Sequence, residues 1–288
     1  MSSDFRGGRT VLITGASTGI GEASAIRLAR CGYSVLAGVR RPEDAQRLRL
    51  HQLTQLTPIF LDVTMDDTIA RAAEQVAEAC GDSGLFGLIN NAGIGAGGPQ
   101  EAIEISEWRR ALETNLVGPV AVTRAMLPLL RQANGAKIIN VSSAYGALSV
   151  PFIAPYCATK HALEAISWSL RLELRSSGIS VSVLAPTDVR TPIWDKMESE
   201  TSRVIEGLSV THREQYGQQI QKLADQRLAA ARRGLPVESV TRVLERILSA
   251  RRPKFRYAVG WHAHLLEFSR RWLPWSTLEW AIGRYANL

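Results

Sequence analysis

The sequence predicts an α/β fold, a doubly wound parallel sheet with helices on both faces, from two observations. Short β-rich runs alternate with longer helical patterns from the N-terminus onward, and several of those runs are apolar without alternation, as in strands buried on both faces. Strand–helix alternation of this kind builds a parallel sheet through right-handed crossovers. Strands are predicted at Thr10–Thr14, Ser34–Ala37, Pro58–Leu61, Phe86–Asn90, Lys137–Val141 and Ser180–Leu184, with a last one at Phe255–Val259. Helices are predicted at Ile20–Arg30, Asp66–Ala79, Ser106–Arg131, Pro155–Ser177 and Pro236–Ala250. In the fourth of these, Leu163, Ile166, Leu170 and Leu174 recur at helical spacing and form an apolar stripe.

A chain of 288 residues with 45% hydrophobic content suits one domain around a large core. After the sixth strand the rhythm changes. The stretch from about 190 to 235 is polar, long and helix-prone, and it leaves the sheet at the end where ligands bind, so it reads as a helical substrate lid or as a surface excursion. From about 260 to 288, Trp261, Trp272, Trp275 and Trp280 crowd together with Leu265, Leu266, Phe268, Leu273 and Leu278, and Arg270, Arg271 and Arg284 lie among them. This reads as two amphipathic helices broken at Pro274. Such an extension can cover the pocket, join a second subunit or rest peripherally on a membrane surface.

Composition excludes several classes. No run approaches the roughly 18 apolar residues that a membrane span needs. Met1–Arg9 lacks the regions of a signal peptide, so a cytoplasmic protein is expected. Cys31, Cys80 and Cys157 have neither disulfide nor zinc spacing, and no metal site is expected. The net charge of +7 and pI near 9.7 come without any nucleic-acid motif, so no nucleic-acid partner is expected; an anionic membrane surface and a phosphorylated cofactor are the remaining anions of interest.

Thr14-Gly15-Ala16-Ser17-Thr18-Gly19-Ile20-Gly21 follows the first strand and opens the first helix. Glycines permit positive φ and close backbone approach, and the helix start offers free N–H groups to a diphosphate. A structural turn would use the same glycines. After the second strand comes Arg40-Arg41, with no acid until Glu43. An acid there binds the 2′-hydroxyl of NAD, whereas arginines attract a 2′-phosphate, so NADP(H) is favoured over NAD(H). Two solvated arginines opening a loop are the plainer alternative. Asp62-Val63, ending the third strand, suits the adenine or an ordinary turn.

Tyr156 and Lys160 stand four apart, on one face of a helix. A neighbouring ammonium is expected to draw the phenol below its ordinary pKa near 10, making Tyr156 an acid/base. Ser143 ends the fifth strand, where its hydroxyl can hold a substrate oxygen or merely cap the strand. Asn90-Asn91-Ala92-Gly93 ends the fourth strand at the same rim. Asn115 lies in the long helix that follows, as a functional or a satisfied structural amide.

The ordered set TGASTGIG at 14–21, NNAG at 90–93, Asn115, Ser143 and YCATK at 156–160 resembles the short-chain dehydrogenases/reductases over about residues 9–192. The resemblance implies a Rossmann-type fold and a catalytic tetrad of Asn115, Ser143, Tyr156 and Lys160. Tyr156 would transfer the proton, Ser143 position the carbonyl, Lys160 also bind the nicotinamide ribose, and Asn115 support a water relay. Expected cofactor contacts are Gly15, Ser17, Thr18, Gly19, Ile20, Gly21, Arg40, Arg41, Asp62, Val63, Asn91, Ala92, Gly93, Tyr156, Lys160, Pro186, Val189 and Thr191. The family usually has Pro-Gly after the sixth strand, where this chain has Pro186-Thr187. Within the family, Ala154-Pro-Tyr-Cys-Ala-Thr-Lys-His-Ala-Leu-Glu resembles the retinol and 17β-hydroxysteroid dehydrogenase branch, implying a small apolar alcohol or carbonyl substrate. A homodimer or homotetramer is a further expectation from the resemblance. A non-catalytic dinucleotide sensor, and an epimerase or isomerase using bound nicotinamide transiently, are the rival readings.

Overall fold

A computed structural model of the chain describes residues 8–286, with side chains left undescribed at 193 and 195–198. Seven strands, β1 (Thr10–Ile13), β2 (Ser34–Val39), β3 (Leu56–Phe60), β4 (Leu85–Asn90), β5 (Lys137–Val141), β6 (Ser180–Pro186) and β7 (Arg256–Val259), form one sheet in the order β3-β2-β1-β4-β5-β6-β7. Every pairing is parallel. The order reverses between β1 and β4, the point at which a doubly wound sheet opens a crevice beyond its carboxyl ends.

Both faces are covered, which is why the strands read as apolar runs. Side chains alternate across the sheet: Val11 and Ile13 point into one core and Leu12 into the other, and Ile139 and Ile138 divide in the same way. Helices α1 (Gly19–Arg30) and α9 (Val237–Ser249) bury Ala25, Leu28, Val240, Leu244 and Ile247 in the first core. Helices α3 (Asp66–Cys80) and α5 (Gly118–Gln132) bury Ile69, Ala72, Val76, Val122, Met126 and Leu130 in the second, joined by Leu174 at the end of α6 (Ala154–Glu173).

Two elements differ from the sequence reading. Residues 42–49 form a helix, α2 (Pro42–Arg49), with Pro42 in its first turn, Glu43 and Asp44 near its start and Arg47 and Arg49 near its end. Those are ordinary helix signals, but eight mostly polar residues that bury only Leu48 give no periodic stripe to read. The single helix predicted at Ser106–Arg131 is instead α4 (Ile105–Leu112), a π-helical turn at Glu113–Val117, and α5. Pro119, lacking an N–H, cannot make the regular backbone bond, and the chain widens just before it. Gly118 fits there because a Cβ would come 2.8 Å from the Val63 carbonyl oxygen.

Two helices follow β6, α7 (Ile193–Gly207) and α8 (Val210–Arg232), and two follow β7, α10 (Trp261–Trp272) and α11 (Trp275–Ala286). The break between the last two falls at Leu273-Pro274. Helix α10 packs on β7 and on the turn at Ala144–Gly146, burying Ala263, while α11 buries Leu278 and Ala286. Their outer sides leave Trp261, Phe268, Trp272, Trp275 and Trp280 exposed. Among the described residues no helix is long and apolar enough to cross a membrane.

Beneath the site the two central strands are joined by polar side chains. Asn90 Nδ2 donates to Asn140 Oδ1 at 2.8 Å and to Thr123 Oγ1 at 3.0 Å, and Asn140 Nδ2 donates to Ser167 Oγ at 2.7 Å. Replacing Ser167 with Ala strands a buried amide hydrogen, so Ser167→Ala is expected to cost about 1–3 kcal/mol in denaturant unfolding; an unchanged midpoint would remove this network from the stability of the sheet.

Candidate active site

The glycine-rich turn is shaped by close approaches that any side chain would block. Gly15 has φ of 65°, and a Cβ on it would lie 2.7 Å from Ala92 Cα. A Cβ on Gly21 would lie 2.3 Å from the Gly15 carbonyl oxygen and 2.5 Å from Asn91 Nδ2. Asn91 clamps the turn through Nδ2 to the carbonyls of Thr14 (3.0 Å) and Gly15 (2.9 Å). Thr14 Oγ1 accepts from the backbone N–H groups of Asn91 and Ala92, both at 3.0 Å. Helix α1 starts here, and Thr18 at its cap makes no side-chain capping bond. The first N–H groups of the helix therefore have no intrahelical acceptor and are available to an anion. A dinucleotide diphosphate fits this cradle.

The expected adenosine-side residues lie at the ends of β2 and β3. Arg40 is largely exposed and stands 3.9 Å from Asp62, a weak ion pair. Asp62 also accepts from the Thr64 backbone (3.0 Å) and hydroxyl (2.8 Å), so its carboxylate is in part a turn-former. Val63 is buried, and Arg41 is exposed at the start of α2. A residue absent from the sequence reading joins them. Arg47 on α2 donates to the Ser17 carbonyl and pairs with Asp44 at 2.9 Å and Glu22 at 3.4 Å. Its distance from Arg40 in sequence hid it; the proline-started helix of 42–49 was the available signal.

On the nicotinamide side, Gly19, with φ of 63°, faces Thr191, whose Cβ would sit 3.3 Å from an added Cβ. The Pro186–Thr191 loop is pinned at several points. Val189 bridges to Leu235, its carbonyl accepts from Trp194 Nε1 at 2.7 Å, and the Asp188 carbonyl accepts from Leu235 N at 2.9 Å. Thr187 stands where the family has glycine, and its φ is negative, so the loop demands no glycine. Its N–H and hydroxyl both donate to the Val259 carbonyl, at 3.2 and 3.3 Å.

Ser143, Tyr156 and Lys160 meet at the carboxyl rim of β5. Ser143 is buried, caps the following turn by accepting from Tyr145 N at 3.2 Å, and its hydroxyl interacts with the Tyr156 phenol. Strand-end cap and phenol partner are thus the same residue. Lys160 is buried, donates to the Val141 carbonyl at 2.9 Å and has Nζ 5.7 Å from the Tyr156 ring centre. Asn115, in the π-helical turn, is fully buried. Its Oδ1 accepts from Ile94 N at 2.8 Å, and its Nδ2 donates to the Ile94 carbonyl at 3.0 Å and to Thr159 Oγ1 at 3.2 Å. Its side chain is a brace joining the β4 loop to α6. Gly93 lies against it, 3.3 Å separating a Cβ there from Asn115 Oδ1.

The electrostatics correct one expectation. Burial pushes the Tyr156 phenol above its ordinary value; Ser143 and Arg227 oppose the shift, and Lys160 is not among the groups that do. Burial also takes Lys160 down to about 8 against a partial opposing pull from Glu164. Desolvation outweighs the attraction expected between neighbours because both groups lie out of water. Burial therefore favours the protonated phenol.

A cleft of about 720 Å³ lies beside this centre, between Gly98–Glu101, Ser149–Phe152, His161 and Tyr216, and includes neither Ser143 nor Tyr156. A smaller one, about 300 Å³, runs along Gly19, Ala23 and Ile26 to Arg190–Pro192. Among the described residues no cluster could hold a metal ion.

The sequence model of the short chain dehydrogenase family matches residues 9–202. Retinol dehydrogenase 5 of Mus musculus is 35% identical over 290 residues, covering 96% of this chain and 90% of that protein. The 17-beta-hydroxysteroid dehydrogenase type 6 of Bos taurus is 37% identical over 281 residues, covering 95% and 87%. In structure, a short-chain dehydrogenase from Streptomyces avermitilis superposes with a TM-score of 0.76 at 24% identity, covering 100% of this chain and 98% of that one. One from Burkholderia cenocepacia J2315 in complex with NADP gives 0.71 at 22%, covering 96% and 98%. The chain belongs to the short-chain dehydrogenases, a family of NAD(P)-dependent oxidoreductases.

Proposed function

We propose that this dehydrogenase is an NADP(H)-linked enzyme that interconverts a carbonyl and an alcohol on an apolar, retinoid-, steroid- or lipid-like substrate. The observation that carries the reading is the convergence of Ser143, Tyr156 and Lys160 at the sheet rim that also bears the glycine-rich turn. The names of the relatives support the substrate class, and Arg40, Arg41 and Arg47 beside the adenosine end support a 2′-phosphate.

When bound, the nicotinamide supplies or accepts the hydride. Backbone N–H groups at the start of α1 would hold the diphosphate, and Lys160 Nζ would hold a ribose hydroxyl. In the reducing direction, Ser143 Oγ donates a hydrogen bond to the substrate carbonyl oxygen and fixes its position. Tyr156 Oη then delivers its proton to that oxygen as charge develops there. A phenol kept protonated by burial suits this step, and Lys160, titrating near 8, stands close enough to stabilise the phenolate left behind.

Tyr156→Phe is expected to lower kcat by about 100-fold or more while leaving cofactor affinity, read by calorimetry, unchanged; near wild-type turnover would remove Tyr156 from the chemistry. Arg40→Asp is expected to shift the kcat/KM ratio from NADPH toward NADH, because a carboxylate repels the 2′-phosphate and accepts from the 2′-hydroxyl. An unmoved ratio would leave Arg40 a solvated surface residue. Lys160 adds a pH dependence of stability. Its folded pKa of about 8 lies below the ordinary 10.5, so between these values the unfolded chain holds a proton that the fold has released. Stability should therefore rise with pH across that window, by at most about 1.4 kcal/mol per pH unit. Lys160→Met should flatten the rise, as read from unfolding curves of the two proteins in parallel; identical slopes would contradict the assignment.

A further inference from the structure

Helix α8 carries a narrow stripe of Ile220, Leu223 and Ala231, all buried. Arg227 occupies the same stripe by spacing, a cation where the pattern calls for an apolar residue. Its guanidinium carbon lies 5.5 Å from the centre of the Tyr145 ring and 5.9 Å from that of Trp194, so the charge is held between two aromatic walls. Its Nε is buried and, among the described residues, has no hydrogen-bond partner. Asp188 feels it through space, without a hydrogen bond between the two.

A buried donor left unmade is expensive, of the order of 1–3 kcal/mol and more for a charged group. Persistence of such a group between Tyr145 and Trp194 calls for a ligand atom that completes it. Tyr145 fixes the location, since its ring lies beside Arg227 while its backbone N–H donates to Ser143 Oγ at 3.2 Å, the serine that positions the carbonyl. The electrostatic influence of Arg227 on Tyr156 and on Tyr285 of α11 agrees with that position. Charge also limits the choice of ligand. With Asp188 close by, a second anion would be repelled while the positive charge is already offset; what is lacking is an acceptor.

Building on the carbonyl–alcohol reading above, we infer that Arg227 is a specificity-determining residue that receives a second, neutral oxygen of the substrate, a hydroxyl or keto group near the reacting carbon, between Tyr145 and Trp194. The preferred substrate is then an apolar hydroxy ketone, diketone or diol, and an apolar molecule with a single oxygen leaves the arginine uncompleted.

The probes are deoxybenzoin, with one ketone oxygen, and benzoin, the same skeleton with a hydroxyl on the adjacent carbon. Turnover with NADPH and binding by calorimetry are measured for both on the wild-type protein, on Arg227→Leu and on Arg227→Lys. Arg227→Leu should lose about ten- to hundredfold in kcat/KM and in affinity for benzoin and change by less than about threefold for deoxybenzoin, the worth of a hydrogen bond to a charged donor. Arg227→Lys, with its charge but not its fork, should fall between. An equal loss on both probes, or no loss on benzoin, overturns the inference and makes Arg227 a structural cation. Wild-type protein that turns over neither ketone contradicts the carbonyl–alcohol reading, and the paired binding constants still decide for or against the role of Arg227.

Discussion

A parallel sheet brings its catalytic loops to one rim but has no hydrogen bonds of its own with which to hold them there, since the ladder stops where the strands stop. Side-chain amides do this work. Asn91 closes on the carbonyls of Thr14 and Gly15, fixing the phosphate turn against the β4 loop. Asn115 spans from that loop to Thr159, one residue before Lys160. Asn90 and Asn140 join the two central strands beneath. An amide offers a donor and an acceptor from one rigid plane, so each can bridge two loops in a buried place where water cannot substitute. The glycine-rich turn and the helix carrying Tyr156 and Lys160 are thereby parts of one bonded unit.

Burial governs the chemistry of that unit as much as proximity does. Both Tyr156 and Lys160 are shifted toward their neutral forms, the phenol upward and the amine down to about 8. A centre of this kind does not store a phenolate at rest. It sets a phenol and an amine side by side, each favoured by burial in its neutral form.

The outer helices reach the same centre from the other side. Glu164, one turn after Lys160, accepts from Ser142 Oγ at 2.9 Å and from Arg256 Nε at 2.8 Å, and Arg256 also meets Glu267 of α10. Helix α10 is thus tied by charge, through Arg256 of β7, to α6. Tyr145, its phenol pushed up to about 12 by burial, lies under this cover together with Arg227. Helices α10 and α11 bury Ala263, Leu278 and Ala286, while their tryptophans are exposed.

Strand positions, the helices on both faces and the rim carrying Gly15–Gly21, Asn91, Ser143, Tyr156 and Lys160 were legible in the sequence. Their signals are local: apolar runs four to seven residues long, glycines at a strand–helix turn, two side chains one helical turn apart. Helix α2 was not, because eight residues with one buried side chain carry no period, and the π-helical turn was not, because Pro119 inside an apolar stretch does not say how the chain will widen. Arg47 at Ser17 and Arg227 at Tyr145 lie 30 and 82 positions from their partners. The sequence by itself determined which chemical groups exist and on which strand ends they stand, since strand period and turn chemistry are short-range. Only the tertiary structure decided which way the phenol and amine shift, and which arginine lies beside Tyr145, because desolvation depends on everything that packs around a group and leaves no mark on its neighbours in the chain.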